Sequence, residues 1–521
     1  MSATQAAPAA IRPPAPAPPD EGLRKKHAHA GVAMAVATLA MGATSGIQAL
    51  LYLSSFGAGP RTDGFFAAFA LYASFGVFSQ SIRITSAPML VGRRPLLSRR
   101  GFAATLLVIA IPVAIATIPL AVPLAGLIAP GVAANGRAVT ESALPPLGLA
   151  MILQLWAAGG ATVLAVRDRF DRVALAYIAG AAASLAVYLA VAGVAGELAL
   201  AWSMLAMALV TSALMLDGVR SSRADASEAP KVRRAGAREL ALSVWLVLSR
   251  NAVYLAFNGL YVITLAFAGG YDAGDATVLS YVYLFASYLV AATGFALGMS
   301  RIADMRRGVL SDWQEVIADT VPAGFRYAML LVAPALAAMV AGGAVALGEL
   351  FPSSFDSAQV TQLQVFAALL SAWTVAALLV NLLLPALFAL GRSRLVNGFA
   401  PVIVVAHVAV TAAGGALWGA NGVVGAFFVV PLCFAIVLLV AGAGAGSGAI
   451  AHELARDGLR FGLLAAACFG GAALLAQALT NGLTAALLTV LFGGVAYALL
   501  SSRLAASQLR LLAGALRPAS A

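Results

Sequence analysis

Apolar runs of about 20 residues recur through nearly the whole chain, each long enough to cross a hydrocarbon layer of roughly 30 Å. In lipid every backbone polar group must be satisfied within the chain, so only α-helices or closed β-barrels can span. Composition decides between them. Of 521 residues, 62% are hydrophobic and 10% charged, and the mean hydropathy is +0.94. A barrel would show short alternating segments instead. The chain is therefore read as an all-α polytopic membrane protein.

About fourteen spans are predicted, near 31–54, 63–89, 101–127, 144–166, 173–194, 198–218, 240–268, 276–300, 321–348, 359–390, 396–418, 422–444, 459–479 and 482–502. The stretch "AVALGELFPSSFDSAQ" is where a re-entrant segment would pass for a helix end. Arg24, Lys25 and Lys26 precede the first run as in a signal peptide. That run is too long and leads into a regular multi-span pattern, so it reads as an uncleaved helix. Residues 1–28 are expected to be a disordered Pro/Ala-rich cytoplasmic tail.

Alternate loops are basic ("GRRPLLSRR", "RDRFDR", "RSSRADASEAPKVRRAGARE", "RIADMRR", "GRSR", "AHELARDGLR"). The intervening ones ("SSFGAGPRTDG", "AGGYDAGD", "GELFPSSFDS", "WGANG") are nearly free of positive charge. Positive loops stay cytoplasmic, which places both termini inside. The net charge of +11 is thus topological, and nucleic acid is not an expected partner. High Ala and Arg usage suggests a bacterial source, hence the cytoplasmic (inner) membrane. Cys433 and Cys468 both lie in apolar runs and read as small packing residues rather than a disulfide or metal framework.

Two halves emerge once the spans are numbered. "FGAGPRTDGFFAAFALYASF" joins helices 1 and 2, and "FAGGYDAGDATVLSYVYLFASY" joins helices 7 and 8. "VLAVRDRFDRVALAYIAG" between helices 4 and 5 parallels "LFALGRSRLVNGFAPVIV" between helices 10 and 11. Six helices therefore repeat in the same orientation, a transporter architecture with the cavity between lobes. The expected organisation is an N-lobe at 29–219, a basic cytoplasmic linker at 220–238, a C-lobe at 239–445, and two added helices with a short cytoplasmic C-terminus in 446–521.

At about 100° per residue, Arg250, Asn251, Tyr254, Asn258 and Tyr261 share an arc of roughly 100° on helix 7. On helix 1, its repeat partner, Thr44, Ser45, Gln48, Tyr52 and Ser55 do the same. The two stripes are expected to face a common wet cavity as substrate-binding walls. Arg250 lies roughly 16 Å beyond Glu239, near the midplane, where an unpaired charge costs at least about 2.5 kcal/mol. No span supplies an obvious acidic partner. An unneutralised arginine suits an anionic substrate, especially a phosphate; the alternative is an arginine held by backbone carbonyls and water. Gln80 and Arg83 are further substrate candidates, although Arg83 also has the option of snorkelling. Arg61, Asp63 and Asp275 are candidates for gating the outer side, with capping of helix 2 as the other role for Asp63. Asn381 is read as an interhelical hydrogen-bonding residue, and His407 as a packed neutral histidine or a titrating one.

No nucleotide-binding loop, HExxH pair or nucleophile elbow occurs, so catalysis is not expected and no cofactor is called for. An ion, potential or substrate gradient would drive transport, and coupling to Na⁺ or H⁺ is left open.

"SSFGAGPRTDGFFAAFALYASFGVFSQ", "YVYLFASYLVAATGFALGM" and "GELFPSSFDSAQVTQLQVFAALLSAWTVAALLVNLLLPALFALGRSRLVNGFAPV" resemble the MurJ/MviN family of the multidrug/oligosaccharidyl-lipid/polysaccharide (MOP) exporter superfamily, over roughly residues 30–505. The resemblance implies two six-helix lobes working by alternating access. Its substrates would be undecaprenyl-pyrophosphate-linked sugars, lipid II among them, and envelope-biosynthesis proteins are conceivable partners besides membrane lipids. Family arginines are replaced at Gln48, near Ala70 and at Leu284, whereas Asp63 is retained. The leading expectation is a flippase for a polyprenyl-(pyro)phosphate-linked saccharide, moved from the inner to the outer leaflet. A drug or metabolite exporter and a non-transporting envelope-assembly scaffold are the alternatives.

Overall fold

A computed structural model describes residues 21–90, 99–167, 169–224, 236–295, 313–389 and 391–504. The first half comprises α1 (Glu21–Phe56), α2 (Pro60–Leu90), α3 (Arg99–Thr117), α4 (Ala121–Ile128), α5 (Ala134–Val166), α6 (Phe170–Ala195) and α7 (Ala199–Ala224). The second comprises α8 (Ala237–Ala268), α9 (Asp275–Val290), α10 (Trp313–Ala338), α11 (Ala344–Leu350), α12 (Ser357–Ala389), α13 (Ser393–Gly398) and α14 (Ala400–Ala443), followed by α15 (Ser447–Leu479) and α16 (Gly482–Leu504). No strand occurs among the described residues. Residues 1–20 of the expected 1–28 tail and most of the 220–238 linker lie outside them, whereas 21–28, expected to be disordered, form the start of α1.

Among the described residues nine helical stretches are long and apolar enough to cross a membrane, and a tenth arises if α3 and α4 form one bent span. Two of the nine run for 51 and 87 residues. A straight helix of the shorter length would reach roughly 75 Å, more than twice the hydrocarbon thickness. Both stretches turn on glycine. Gly196 sits at φ 56°, ψ −136° and Gly419 at φ 61°, ψ −143°, a region that side chains with a Cβ rarely enter. Beyond each turn the chain returns against itself: Gly180 lies hard against Met207 and Thr211, and Gly414 against Gly422.

These two turns occupy equivalent places in the two halves, and a second equivalence accompanies them. Arg167, after α5, donates from Nη1 to the Val219 carbonyl near the end of α7 at 3.5 Å. Arg392, after α12, donates from Nη1 to the Ala441 carbonyl near the end of α14 at 2.7 Å. Each lobe thus closes its basic end by a cation on the carbonyls that finish a helix.

The expected re-entrant weak point is 344–359, yet the sharp bend falls elsewhere. The single span expected at 101–127 is broken between α3 and α4, which meet at 81°. In the α10–α11 region a π-helical turn (Met339–Gly343) carries the chain through without such a break. A second π turn (Ala291–Phe295) continues α9.

Helix 13 also starts earlier than expected. "AHELARDGLR" reads as a basic loop, but it lies within α15 and presents Glu453 and Asp457 to α10. Arg326 donates from Nη2 to Glu453 at 2.7 Å and from Nε to Asp457 at 2.7 Å. Tyr497 of α16 adds a bond to the Leu330 carbonyl at 3.2 Å. This polar clasp fastens the added hairpin to the C-lobe, while Leu463, Leu474, Leu487 and Leu499 on the same hairpin are exposed, as a lipid-facing surface requires.

Candidate functional site

The lobes meet most elaborately at their charge-poor end, where the α1–α2 turn reaches the start of α9. A helix start leaves backbone N–H groups without partners and carries a partial positive charge. Here the missing acceptor comes from the other lobe. Asp63 accepts from the Gly274 N–H at 2.7 Å with Oδ2, and from the Thr277 N–H and hydroxyl, each at 2.7 Å, with Oδ1. It is free to do so because Thr62 serves its own helix, accepting from the Gly59 N–H at 2.9 Å. Asp63 therefore caps α9 rather than α2.

Backbone contacts surround this cap. Ala58 N–H donates to the Ser354 carbonyl at 2.9 Å, and the Ser354 hydroxyl to the Leu53 carbonyl at 2.8 Å. Gly131 of the α4–α5 turn lies so close to Gly270 of the α8–α9 turn that a Cβ on Gly131 would run into the Gly270 backbone. Gly274 takes φ +98°, a left-handed conformation that suits glycine.

The other two gating candidates do not join the lobes. Arg61 pairs with Glu197 at 2.8 Å inside its own lobe, bracing the hairpin that carries Asp63. Asp275 turns back to accept from the Asp272 N–H at 3.3 Å.

From the cap, a seam of α2 against α8 runs toward the basic end. Ser74 donates to the Asn258 carbonyl at 2.8 Å, and further along Asn251 Nδ2 donates to the Thr85 hydroxyl at 2.9 Å. A shorter seam joins α1 to α9, where the Tyr281 hydroxyl donates to the Ala49 carbonyl at 3.0 Å and Ser45 lies beside Tyr288.

The two expected polar walls do not form. On α1, Gln48 is buried and pairs with Ser184 of α6 at 2.9 Å. Tyr52 is buried among Phe56, Phe65 and Phe66. On α8, Asn251 is buried in the seam, Tyr254 stacks on Phe388 of α12, and Tyr261 donates to Ser280 of α9 at 2.8 Å. The side chain of Asn258 bonds its own helix at the Tyr254 carbonyl. Gln48, Tyr52, Asn251, Tyr254 and Tyr261 thus hold helices together in this conformation; an arc of polar residues contains both a lobe interior and a lobe boundary. Arg250 is different: it is half-buried and has neither an acidic nor a hydrogen-bonding partner among the described residues. Gln80 is exposed, and the side chain of Arg83 lies outside what is described.

Residues that sequence reasoning passed over include Thr85, Thr277, Ser354 and Arg326. Only Arg326, a cation inside an apolar run, carried a signal like that of Arg250. Asn381 bonds within its own helix to Ala377, not between helices. His407 is buried with Nε2 2.8 Å from the Thr264 hydroxyl.

No protein-family model and no curated protein matches this sequence. Solved structures do. The lipid II flippase MurJ, in an inward closed conformation, aligns with a TM-score of 0.67 over 92% of this chain and 99% of its own, at 12% identity. The chain has the MurJ/MATE fold. An inward-facing multidrug-resistance MATE transporter of the MOP superfamily aligns at 0.56, covering 80% of this chain and 98% of its own with 14% identity. A MATE transporter of Vibrio cholerae aligns at 0.54, covering 82% and 98% with 13% identity. In this version of the MurJ/MATE fold, Gln48 and Ala70, two of the positions where the resemblance leads one to expect arginine, point into buried N-lobe surroundings.

Proposed function

We propose that the chain is a MOP-type membrane transporter of the flippase kind. It carries a polyprenyl-(pyro)phosphate-linked saccharide, lipid II being one candidate, from the inner to the outer leaflet by alternating access. The charge-poor end faces outward in this reading. The observation that carries it is the Asp63 cap: the two lobes are closed at one end by a few polar contacts on a helix start, which rocking of the lobes can break and remake. The MurJ and MATE likeness supports the same reading. The anionic head group is assigned to Arg250, the half-buried guanidinium without a carboxylate. The same charge disfavours a cationic drug as substrate.

A cell-based flipping assay with Arg250→Ala tests the assignment. Transport is expected to fall by about ten-fold or more at normal expression, the scale of one lost charge-assisted hydrogen bond. Undiminished transport would remove Arg250 from the site.

A further inference from the structure

A polar pocket apart from the seams between the lobes lies inside the N-lobe, between α1, α2, α5, α6 and α7. Ser79, Gln80, Gln154, Tyr177 and Thr211 supply its polar lining, and Ala157, Ala158 and Met207 its apolar side. Among the described residues no Asp, Glu, Lys, Arg or His lines it, so these residues offer neither a counter-charge for phosphate nor a carboxylate for a cation.

Gln154 is only half used. One end of its amide is engaged with the Tyr72 hydroxyl, and the other, Oε1, is buried without a partner. Exchanging amide oxygen and nitrogen leaves one end unpaired either way. A buried polar atom of this kind costs about 1–3 kcal/mol until something pairs with it. Gly76 stands opposite, and a Cβ there would come within 3.3 Å of that oxygen. Gln80, exposed and without a side-chain partner among the described residues, also lines the pocket.

We infer that this pocket receives an uncharged polar substituent of the transported saccharide, namely an acetamido group of an N-acetylhexosamine. The fit is chemical. An acetamido N–H or C=O pairs with the idle end of the Gln154 amide, and its methyl rests on Ala157, Ala158 and Met207. The pocket has room on the order of four waters, enough for such a substituent and too little for a whole sugar ring. The inference builds on the saccharide-carrier reading and divides the labour: Arg250 takes charge, the N-lobe pocket takes sugar identity.

The test uses the full chain in nanodiscs with two probes. Free N-acetylglucosamine and glucose are compared by saturation-transfer NMR. Undecaprenyl pyrophosphate and undecaprenyl-pyrophosphoryl-N-acetylglucosamine are compared by titration. The wild-type protein is expected to give an N-acetylglucosamine signal at least about five-fold above glucose, and to bind the sugar-bearing lipid about ten-fold more tightly than the bare one. Gln154→Leu, and Ala158→Leu as a second variant that fills the pocket, should abolish both differences while leaving affinity for the bare lipid unchanged. Arg250→Ala should weaken both lipids equally. Equal signals for the two sugars in the wild type, or differences that survive both pocket variants, would overturn the inference. If neither lipid binds but the N-acetylglucosamine signal disappears with Gln154→Leu, the pocket assignment stands and the lipid-carrier reading fails.

Discussion

Asp63 shows how one carboxylate can act as a conformational contact. Its three bonds at 2.7 Å all go to the first turn of a helix in the opposite lobe, so they exist only while the charge-poor end is closed. A lost N-cap costs about 0.5–2 kcal/mol. Asp63→Ala should therefore shift the balance toward outward opening by roughly ten-fold, equivalent to about 1.4 kcal/mol. Distances between spin labels on the outer ends of α2 and α9 would read this; an unchanged distribution would mean that the surrounding backbone contacts close the end alone. That Asp63 acts at this end was legible from its place between two apolar runs. Its partner was not, because Thr277 lies 214 residues away and nothing local in either segment encodes the meeting. Arg250 was legible for the opposite reason: a charge inside an apolar run is conspicuous without any partner.

At the level of helices, close approach and buried charge define what each element can tolerate. The Gly64 carbonyl accepts from Thr140 at 2.8 Å, and Gly64 lies against the Gly136 backbone with no space for a Cβ. Gly64→Val should thus force α2 away from α5 and lower the yield of folded protein severalfold, measured by detergent size-exclusion profiles. The Arg326–Glu453–Asp457 clasp makes a second prediction. Asp457 is almost completely buried, and removing one partner of a buried pair costs on the order of 3 kcal/mol. Arg326→Met should lower the thermal midpoint by several degrees. A midpoint unchanged in detergent would show that this ion pair does not hold α15 and α16 in place. The start of α15 was misread because an i, i+4 acidic pair beside arginines looks like a solvated loop. It is helical because those carboxylates find a cation on α10, a contact that no local pattern announces.

For the whole molecule, the two lobes meet at the charge-poor end partly through backbone and small residues, with Ala58 on Ser354 and Gly131 on Gly270, and partly through Phe66 of α2 packed edge-on against Tyr281 of α9. Rocking of the lobes has to break these contacts together. A disulfide across this end should stop the cycle. Ala58→Cys with Ser354→Cys, in a background without Cys433 and Cys468, is expected to abolish transport on oxidation and regain it with reductant. Transport that continues in the cross-linked form would rule out opening at this end. The repeat makes the rigid-lobe description physical: Gly196 and Gly419 turn with the same backbone angles, and Arg167 and Arg392 finish the same helix ends.

Hydropathy decided that this chain is a helical membrane protein, because lipid leaves the backbone no other way to satisfy its hydrogen bonds and each span must carry its own apolar length; the doubled plan was read from two pairs of matching inter-helix motifs. The glycine turns at Gly196 and Gly419 and the helix-end bonds of Arg167 and Arg392 emerged only in the structure. Which polar residues face a lobe interior, a seam or open space was decided only in three dimensions. A helical stripe such as Gln48 with Tyr52, or Asn251 with Tyr254, fixes an azimuth and not a neighbour; the neighbour is set by how the helices of each lobe lie against one another, for Gln48 and Asn251 at sequence separations of more than a hundred residues.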